Sequence, residues 1–332
     1  MTITQRIDAI TEIPPEYLRE DPPAPRSVKI EISGRCNYAC KFCALRTREK
    51  QPTQDMDFEF FKRITTEMRA AGVEEIGIFY LGESLTNPAL AIACVEFLKR
   101  ELKMPYVFLT TNGSLATPEV VSALCLAGLD SLKFSINAAD EAQFKSIMAV
   151  KPRLFRDAIA NIKSAREVRD AVEDVTGHRC GLYASSIRYD GEQHRKMEQL
   201  LAEHVLPYVD EHYWLPLYSM AMRSAEIERK LGYTPTHGNS GRFDPATGMP
   251  TRTGLPCWAA FTEGHVRVDG HVSLCCFGSD DKFDVGDLNK QSFMDAWYSA
   301  AMRSTRAAHL RALKEGPAAL KGTMCDVCVA YQ

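Results

Sequence analysis

The sequence contains no run of apolar residues approaching the roughly 18 that a membrane-spanning helix needs. It also lacks a large charge of one sign, because 40 basic residues nearly balance 43 acidic ones and leave a net charge of −3. That balance gives no electrostatic reason to expect binding to nucleic acid or to an anionic membrane. The charged start of the chain is not followed by the apolar core of a signal peptide. We therefore expect a cytoplasmic protein with neither a membrane nor a nucleic acid among its partners.

Cysteine, by contrast, is abundant: the chain has 11, which in the cytosol favours metal binding over disulfides. Three of them, Cys36, Cys40 and Cys43, are spaced C-x₃-C-x₂-C directly after a strand-like run over 27–33. No His or further Cys lies close enough in sequence to complete the four ligands of a structural zinc site. Three thiolates leave one position open, which suits an iron–sulfur cluster. Three buried, inert thiols are the alternative interpretation.

Strand-like and amphipathic helical patterns alternate from this first strand to about residue 218. Such alternation predicts an α/β fold with a parallel sheet covered by helices. Counting the run before Cys36, there are six βα units, fewer than the eight of a complete barrel. The later strands are predicted at 75–80, 106–111, 129–136, 180–187 and 213–218. The helices are predicted at 58–71, 89–102, 118–127, 154–169 and 192–203.

These features resemble the radical S-adenosylmethionine (SAM) superfamily, in which C-x₃-C-x₂-C with an aromatic before the last Cys, here Phe42, follows the first strand. The resemblance implies a partial (β/α)₆ barrel in which Cys36, Cys40 and Cys43 hold a [4Fe–4S] cluster. It implies that the open iron binds SAM and that reductive cleavage of SAM yields a 5′-deoxyadenosyl radical. An external electron donor such as flavodoxin or ferredoxin is then implied as a partner.

Polar residues follow several predicted strands, at the edge where barrel enzymes carry their chemistry. The stretch Leu81-Gly82-Glu83-Ser84 resembles the Gly-Gly-Glu-Pro turn of the family, although Leu81 and Ser84 depart from it. On that resemblance, Gly82 and Glu83 are expected to bind the amino group of SAM. The other predicted cofactor-binding residues are Phe42, Asn112, Ser135, Asn137 and Ser185. Each strand-end polar residue alone is also a common turn former or helix cap.

The C-terminal segment carries a second cysteine pattern. Asp269-Gly270, flanked by the strand-like runs 265–268 and 271–274, predicts a hairpin with a two-residue type I′ turn. Four cysteines surround it or follow it, enough for a closed zinc site or a fully ligated cluster. The pattern resembles the shorter, twitch form of the SPASM/twitch domain of many radical SAM enzymes, which implies one auxiliary [4Fe–4S] cluster. Its ligands would be Cys257, Cys275, Cys325 and Cys328.

The patterns divide the chain into four parts. They are an extended, Pro-rich N-terminal arm over 1–26, the core barrel over 27–220, a linker over 221–255 and the auxiliary domain over 256–332.

The twitch arrangement resembles that of the 2-deoxy-scyllo-inosamine dehydrogenases, so we expect an oxidoreductase acting on a hydroxylated small molecule such as an aminocyclitol or sugar. The auxiliary cluster would accept the electron. A radical epimerase is the first alternative, with Cys276 as the catalytic hydrogen donor; Cys276 is otherwise a buried thiol. Modification of a ribosomal peptide or protein is the second. A zinc-stabilised binding protein and a scaffold for cluster transfer are the non-catalytic alternatives.

Overall fold

The protein is described from a computed structural model. The structure describes residues 1–47, 52–216, 241–252, 254–276, 278, 281–326 and 328. Within these residues, none of the helices combines the length with the apolar character that a membrane crossing requires.

Six parallel strands form the centre of the fold, as the sequence predicts. They lie in the order β6-β5-β4-β3-β2-β1, each in parallel register with its neighbour. The strands are β1 (Ser27–Ile30), β2 (Glu75–Gly77), β3 (Tyr106–Thr111), β4 (Ser131–Ser135), β5 (Gly181–Ile187) and β6 (Glu211–Leu215). The helices of this part are α1 (Ile3–Thr11), α2 (Phe58–Ala71), α3 (Pro88–Glu96), α4 (Pro118–Ala127), α5 (Glu141–Met148), α6 (Arg153–Thr176) and α7 (Gly191–His204). The predicted α/β class and partial barrel of six βα units are confirmed.

Side chains alternate between the two faces of each strand, which gives the barrel an apolar outer face and a more polar interior. In β3, Val107 and Leu109 are fully buried in the main hydrophobic core. Tyr106, Phe108 and Thr110 lie on the opposite face and line a cavity inside the barrel. The helices cover the outer face, so the inner face is where polar and charged side chains are found.

The N-terminal segment is where the sequence prediction of an extended arm is wrong. Ile3–Thr11 form helix α1, which begins with a capping box between Thr2 and Gln5. The helix docks against the barrel through an ion pair of 3.0 Å between Arg6 Nη1 and Glu75 Oε1. The five prolines that suggested an extended segment all follow this helix, so they do not interrupt it.

Helix α5 is also absent from the sequence prediction. It has eight residues, which is too few turns for apolar periodicity to stand out. Helix α6 runs past its predicted end at 169 and stops at Gly177, whose φ of 71° ends the helix in the left-handed conformation.

The C-terminal segment extends the same sheet. Its strands are β7 (Glu263–Val266), β8 (His271–Ser273) and β9 (Asp284–Asp287), followed by α8 (Phe293–Trp297) and α9 (Ala300–Glu315). Strand β7 pairs in parallel with β1, and β8 and β9 continue antiparallel, so nine strands form one sheet. The auxiliary segment is therefore joined to the barrel by backbone hydrogen bonds.

The hairpin between β7 and β8 is as predicted, but its turn is not. Val266 pairs with Val272, and the Arg267 N–H donates to the His271 carbonyl at 2.9 Å. Three residues, 268–270, therefore form the loop instead of two. Gly270 takes a φ of 87°, as a three-residue hairpin with a glycine in the left-handed region requires.

The domain boundaries stay a prediction. Residues 221–240 of the predicted linker lie outside the described residues, as do residues 217 and 218 of the sixth predicted strand.

Candidate functional site

A cavity at the carboxyl ends of the barrel strands, which we call the outer cavity, brings most predicted site residues together. The cysteine loop after β1 supplies Cys36, Cys40, Phe42 and Cys43 to its lining. The ends of β2, β3 and β4 supply Gly82, Glu83, Asn112, Ser135 and Asn137. The structure thus places nine of the predicted residues around one space.

Ser185 is the predicted cofactor-binding residue that does not line the outer cavity among the described residues. It is buried in β5, within hydrogen-bonding reach of the Tyr213 phenol. Its role in binding SAM stays a prediction.

The cysteine loop is held from two sides. The backbone N–H groups of Ala39 and Lys41 donate to the carbonyls of Met148 and Ile147, both at 3.0 Å, so the end of α5 supports the loop. Tyr38 is buried, and its ring packs edge-on against Phe144 of α5 with centroids 5.2 Å apart. The helix that the sequence prediction missed is therefore a main support of the three cysteines.

The other support is a set of polar side chains after β3. Asn112 donates from Nδ2 to Asn37 Oδ1 at 2.8 Å, and Asn37 donates from Nδ2 to Ser114 Oγ at 2.8 Å. The Ser114 hydroxyl donates to Asn112 Oδ1, also at 2.8 Å. This triangle fixes the cysteine loop to the end of β3, so part of the hydrogen-bonding capacity of Asn112 is used within the protein.

Gly82 lies where two loops approach too closely for any side chain. A Cβ at this position would come within 1.9 Å of the Ser33 carbonyl oxygen. The adjacent Glu83 N–H donates to the Arg35 carbonyl at 2.7 Å. The loop after β2 is thereby pressed against the start of the cysteine loop.

The Glu83 carboxylate is almost fully buried and accepts three hydrogen bonds. The donors are the N–H of Leu85 at 3.1 Å, the hydroxyl of Thr111 at 2.9 Å and the N–H of Asn112 at 2.8 Å. Burial raises the pKa of Glu83 above its usual range, although the three hydrogen bonds oppose the rise. A carboxylate offers about four acceptor positions, so one remains for a cationic group in the outer cavity.

Asn137 is likewise partly engaged, since its Oδ1 accepts the N–H of Ile187 at 3.1 Å. Among the described residues, its amide nitrogen donates no hydrogen bond, so it is available to a ligand in the outer cavity. Ser135 lies in the lining beside it.

A second cavity, which we call the inner cavity, lies inside the barrel and has a volume of about 210 Å³. Phe79 and Thr110 line both cavities, so the two spaces adjoin. Helix α1 contributes Ile3, Ile7 and Ile10 to its wall. The C-terminal segment contributes Trp258, Glu263 and Cys276. The inner cavity therefore lies between the outer cavity and the auxiliary segment.

The titratable groups that face the inner cavity are mostly paired. Lys29 Nζ lies 2.7 Å from Glu263 Oε1, and His265 Nε2 lies 2.9 Å from Glu263 Oε2. Burial opposes ionisation of Glu263, but the charges of Lys29 and His265 outweigh it and lower the pKa of this carboxyl. Arg6 pairs with Glu75, as described above.

Lys133 is the exception in the inner cavity. It lies on β4 beside Thr110 of β3 and Tyr183 of β5. Its ammonium lies 5.7 Å from the centre of the Tyr213 ring, and no described carboxylate is within ion-pair distance. Burial, assisted by the charge of Lys29, lowers the pKa of Lys133 to about 7. A large fraction of this side chain is therefore a neutral amine near neutral pH.

The four auxiliary cysteines lie close to one another. Burial raises the pKa of Cys325, and the nearby Cys257, Cys275 and Cys328 raise it further. The Cys328 N–H donates to the Cys325 carbonyl at 3.1 Å, which closes a turn between the two. Cys276, next in the chain to Cys275, lines the inner cavity.

Two residues that the sequence analysis did not single out connect the outer cavity with the C-terminal segment. The Tyr80 hydroxyl lies 2.8 Å from the Cys275 carbonyl oxygen and 2.7 Å from that of Gly278, while its side chain lines the outer cavity. The buried Glu31 carboxylate accepts the N–H of Gly82 at 3.1 Å and the N–H of Val268 at 3.0 Å. A charged residue within an otherwise apolar strand-like run is the sequence signal that marks Lys29, Glu31 and Lys133, although Glu31 itself directly follows β1.

Among the residues that the structure describes, no three His, Cys, Asp or Glu side chains are grouped tightly enough to hold a single metal ion. A [4Fe–4S] cluster binds each thiolate at a different corner of a cube, so its ligands lie farther apart than those of one ion. Three thiols and a carboxylate line the outer cavity, and the backbone passes Gly82 so closely that a Cβ would not fit there. These residues fit a [4Fe–4S] cluster that also binds an amino-acid ligand.

Comparison with known families assigns both parts of the molecule. Residues 30–183 match the Radical SAM superfamily, and residues 257–329 match the SPASM iron–sulfur cluster-binding domain. The chain carries a radical SAM domain followed by an SPASM domain. A radical SAM domain uses a [4Fe–4S] cluster and SAM, and an SPASM domain binds additional iron–sulfur clusters. The cofactors predicted from the sequence are thereby confirmed.

Two curated proteins show how far the similarity in sequence extends. A probable GTP 3′,8-cyclase of Pyrobaculum aerophilum is 27% identical over 143 residues, which is 43% of this chain and 44% of that protein. The chain therefore matches less than half the length of this relative. The tungsten-containing aldehyde ferredoxin oxidoreductase cofactor-modifying protein of Pyrococcus furiosus is 24% identical over 301 residues, or 81% of this chain and 80% of that protein.

Two solved structures resemble the fold. SuiB of Streptococcus suis bound to S-adenosylmethionine has a TM-score of 0.59 and 16% identity, covering 85% of this chain and 67% of that chain. BtrN in complex with AdoMet and 2-DOIA has a TM-score of 0.48 and 15% identity, covering 88% of this chain and 87% of that chain. The second likeness is too distant to support an argument about substrate.

Proposed function

We propose that the enzyme oxidises a small hydroxylated molecule, such as an aminocyclitol or sugar, held in the inner cavity. The observation that supports this most directly is the inner cavity itself. It adjoins the outer cavity at Phe79 and Thr110 and reaches Cys276, the neighbour of Cys275. A substrate there lies between the two cofactor sites.

The proposal assigns the cofactors to named residues. Cys36, Cys40 and Cys43 hold the first cluster, and Cys257, Cys275, Cys325 and Cys328 hold the auxiliary one. Glu83, with its one remaining acceptor position, binds the SAM ammonium, and Asn112, Ser135 and Asn137 bind its other polar groups. When bound, SAM and the first cluster would supply a 5′-deoxyadenosyl radical able to remove a hydrogen atom from a C–H bond, and the auxiliary cluster would be the acceptor for the electron that the oxidation releases.

The size and the polarity of the inner cavity support a small substrate. At about 30 Å³ per water in the liquid, the volume of the inner cavity corresponds to about seven waters, comparable in size with a monosaccharide. Alcohol oxidation also requires a base for the hydroxyl proton, and Lys133 fills that role as a neutral amine. The isoleucines of α1 and the ring of Phe79 restrict water around the reacting carbon.

Deuterium transfer tests the proposed oxidation. The reconstituted enzyme is incubated with SAM, a reductant and polyols, sugars or aminocyclitols deuterated at the carbinol carbon. We expect deuterium in 5′-deoxyadenosine together with a carbonyl product two electrons more oxidised than the substrate. SAM cleavage that leaves 5′-deoxyadenosine without deuterium and every alcohol unoxidised would contradict the proposal.

Epimerisation is the second candidate, because Cys276 lines the inner cavity and a thiol there has access to a substrate radical. The same assay separates the two outcomes. An epimerase returns an alcohol of inverted configuration that has exchanged one carbon-bound hydrogen, and Cys276→Ala abolishes that product. A dehydrogenase keeps most of its activity in Cys276→Ala.

Peptides are the third class to screen, since one structure of the similarly folded SuiB holds the precursor peptide SuiA.

A further inference from the structure

His309 is a fully buried histidine of α9 that lies against the auxiliary cysteines. Its ring touches two of them from opposite sides. The backbone nitrogen of Cys257 donates to Nδ1 at 3.4 Å, and Nε2 lies 3.4 Å from Cys325 Sγ. Nothing in the sequence patterns or the family matches assigns this residue a role.

The contact with Cys257 determines which ring nitrogen carries the proton. A backbone N–H can only donate, so Nδ1 must present a lone pair to it. The ring proton is therefore on Nε2, and Nε2–H points to the sulfur of Cys325. Phe261, whose ring lies edge-on to the imidazole with centroids 6.4 Å apart, restricts the ring from the side.

The cysteines around His309 fit an iron–sulfur cluster, because all four lie together within the segment that matches the SPASM domain. A cluster sulfur ligand becomes more negative when the cluster is reduced, so a hydrogen bond to that sulfur stabilises the reduced state more than the oxidised state. The full burial of His309 strengthens this effect, since it keeps water away from the imidazole that faces the sulfur.

We propose that His309 is a positioning residue of the auxiliary cluster, which donates a hydrogen bond from Nε2 to Cys325 and raises the reduction potential of that cluster. A higher potential makes the cluster a better electron acceptor. The inference rests on Cys325 being a ligand of the auxiliary cluster and does not depend on which substrate is oxidised.

The test is a redox titration of the full chain, followed by electron paramagnetic resonance, with iron counted in each sample. Cys40→Ala protein, in which only the auxiliary cluster remains, assigns the signals. We expect His309→Leu to shift the auxiliary potential to more negative values, with full iron content and an unchanged first cluster. His309→Gln retains an N–H donor of similar reach and should restore most of the potential. His204→Leu, an exposed histidine of α7, is the matched control and should change neither potential.

An unchanged auxiliary potential in His309→Leu would overturn the inference. Loss of about four irons with retained folding would also overturn it, because His309 would then be a ligand.

If His309→Leu does not fold, a measurement on the wild-type protein still decides the question. With ¹⁵N-labelled histidine, a hydrogen bond gives a weak nitrogen coupling to the reduced auxiliary cluster. A strong coupling would indicate a direct ligand, and no coupling would indicate no contact; either result contradicts the proposal.

Discussion

Under the proposed function, Lys133 is the residue on which the chemistry of the inner cavity depends most. The other charged groups there are paired, Lys29 with Glu263 and Arg6 with Glu75. Lys133 has neither a carboxylate partner among the described residues nor full access to water, and the charge of Lys29 further disfavours its protonated form. An amine in this state accepts a proton near neutral pH, as a general base must.

We expect product formation to rise with pH through about 7, because the pKa of Lys133 is lowered to about 7 and only the neutral amine accepts the hydroxyl proton. Lys29→Met removes a positive charge that disfavours protonation of Lys133, so its pKa rises and the rise in activity should move to higher pH. Lys133→Met should lower product formation about 10²-fold or more, the usual range for loss of a general base. The measurement is the pH profile of product formed per SAM cleaved.

The exposed Lys163→Met is the matched control and should retain the wild-type profile. A profile of Lys133→Met identical to wild type would exclude Lys133 as the base, while leaving the oxidation itself to be judged by the deuterium assay.

The candidate cluster cysteines could be recognised in the sequence because most of their signal is local: three lie within eight residues, and two more are three apart. Their role as cluster ligands stays a prediction. Lys133, Glu31 and His309 could not be assigned in the same way. Each acquires its role from partners on distant elements, such as the Gly82 and Val268 N–H groups at the Glu31 carboxylate. Strand register and helix docking bring such partners together, and neither can be read from periodicity.

At the scale of elements, six of the strands and most helices follow the sequence pattern, because β and α periodicities were long enough to distinguish. The errors fall on short or capped elements. Helix α5 has only eight residues, α1 is defined by its capping box, and the hairpin loop includes Val268 in addition to the two predicted residues. The parallel pairing of β7 with β1 is a long-range contact that no local pattern predicts.

Glu31 is the link between three elements: β1, the loop that holds Gly82, and the loop of the C-terminal hairpin. Glu31→Ala leaves the Gly82 and Val268 N–H groups without their acceptor, and each unsatisfied donor costs roughly 1–3 kcal/mol. We expect the free energy of unfolding of the reconstituted protein, measured by urea denaturation, to fall by the sum of these two costs. SAM binding should weaken as well, because Gly82 loses its anchor.

Glu167→Ala, at an exposed position of α6, is the control and should change stability by less than about 0.5 kcal/mol. Equal stability of the Glu31 and Glu167 variants would show that the Glu31 hydrogen bonds contribute nothing to joining the barrel and the hairpin.

At the scale of the molecule, one sheet of nine strands joins the radical SAM domain to the SPASM domain. The inner cavity is bounded by both parts, with Lys133 from the barrel and Cys276 from the auxiliary segment in one lining. Under the proposed function, a single bound substrate would meet the radical on one side and an electron acceptor on the other. The proposed oxidation therefore requires two clusters in one chain.

The most direct test is the iron and sulfide content per chain after anaerobic reconstitution, in the wild type and in Cys328→Ala. Two [4Fe–4S] clusters require about eight irons and eight sulfides, and the variant should retain about four of each. The variant should still cleave SAM but form no oxidised product, because the first cluster is intact and the acceptor is missing. About four irons in the wild type, or full product formation by the variant, would contradict the account.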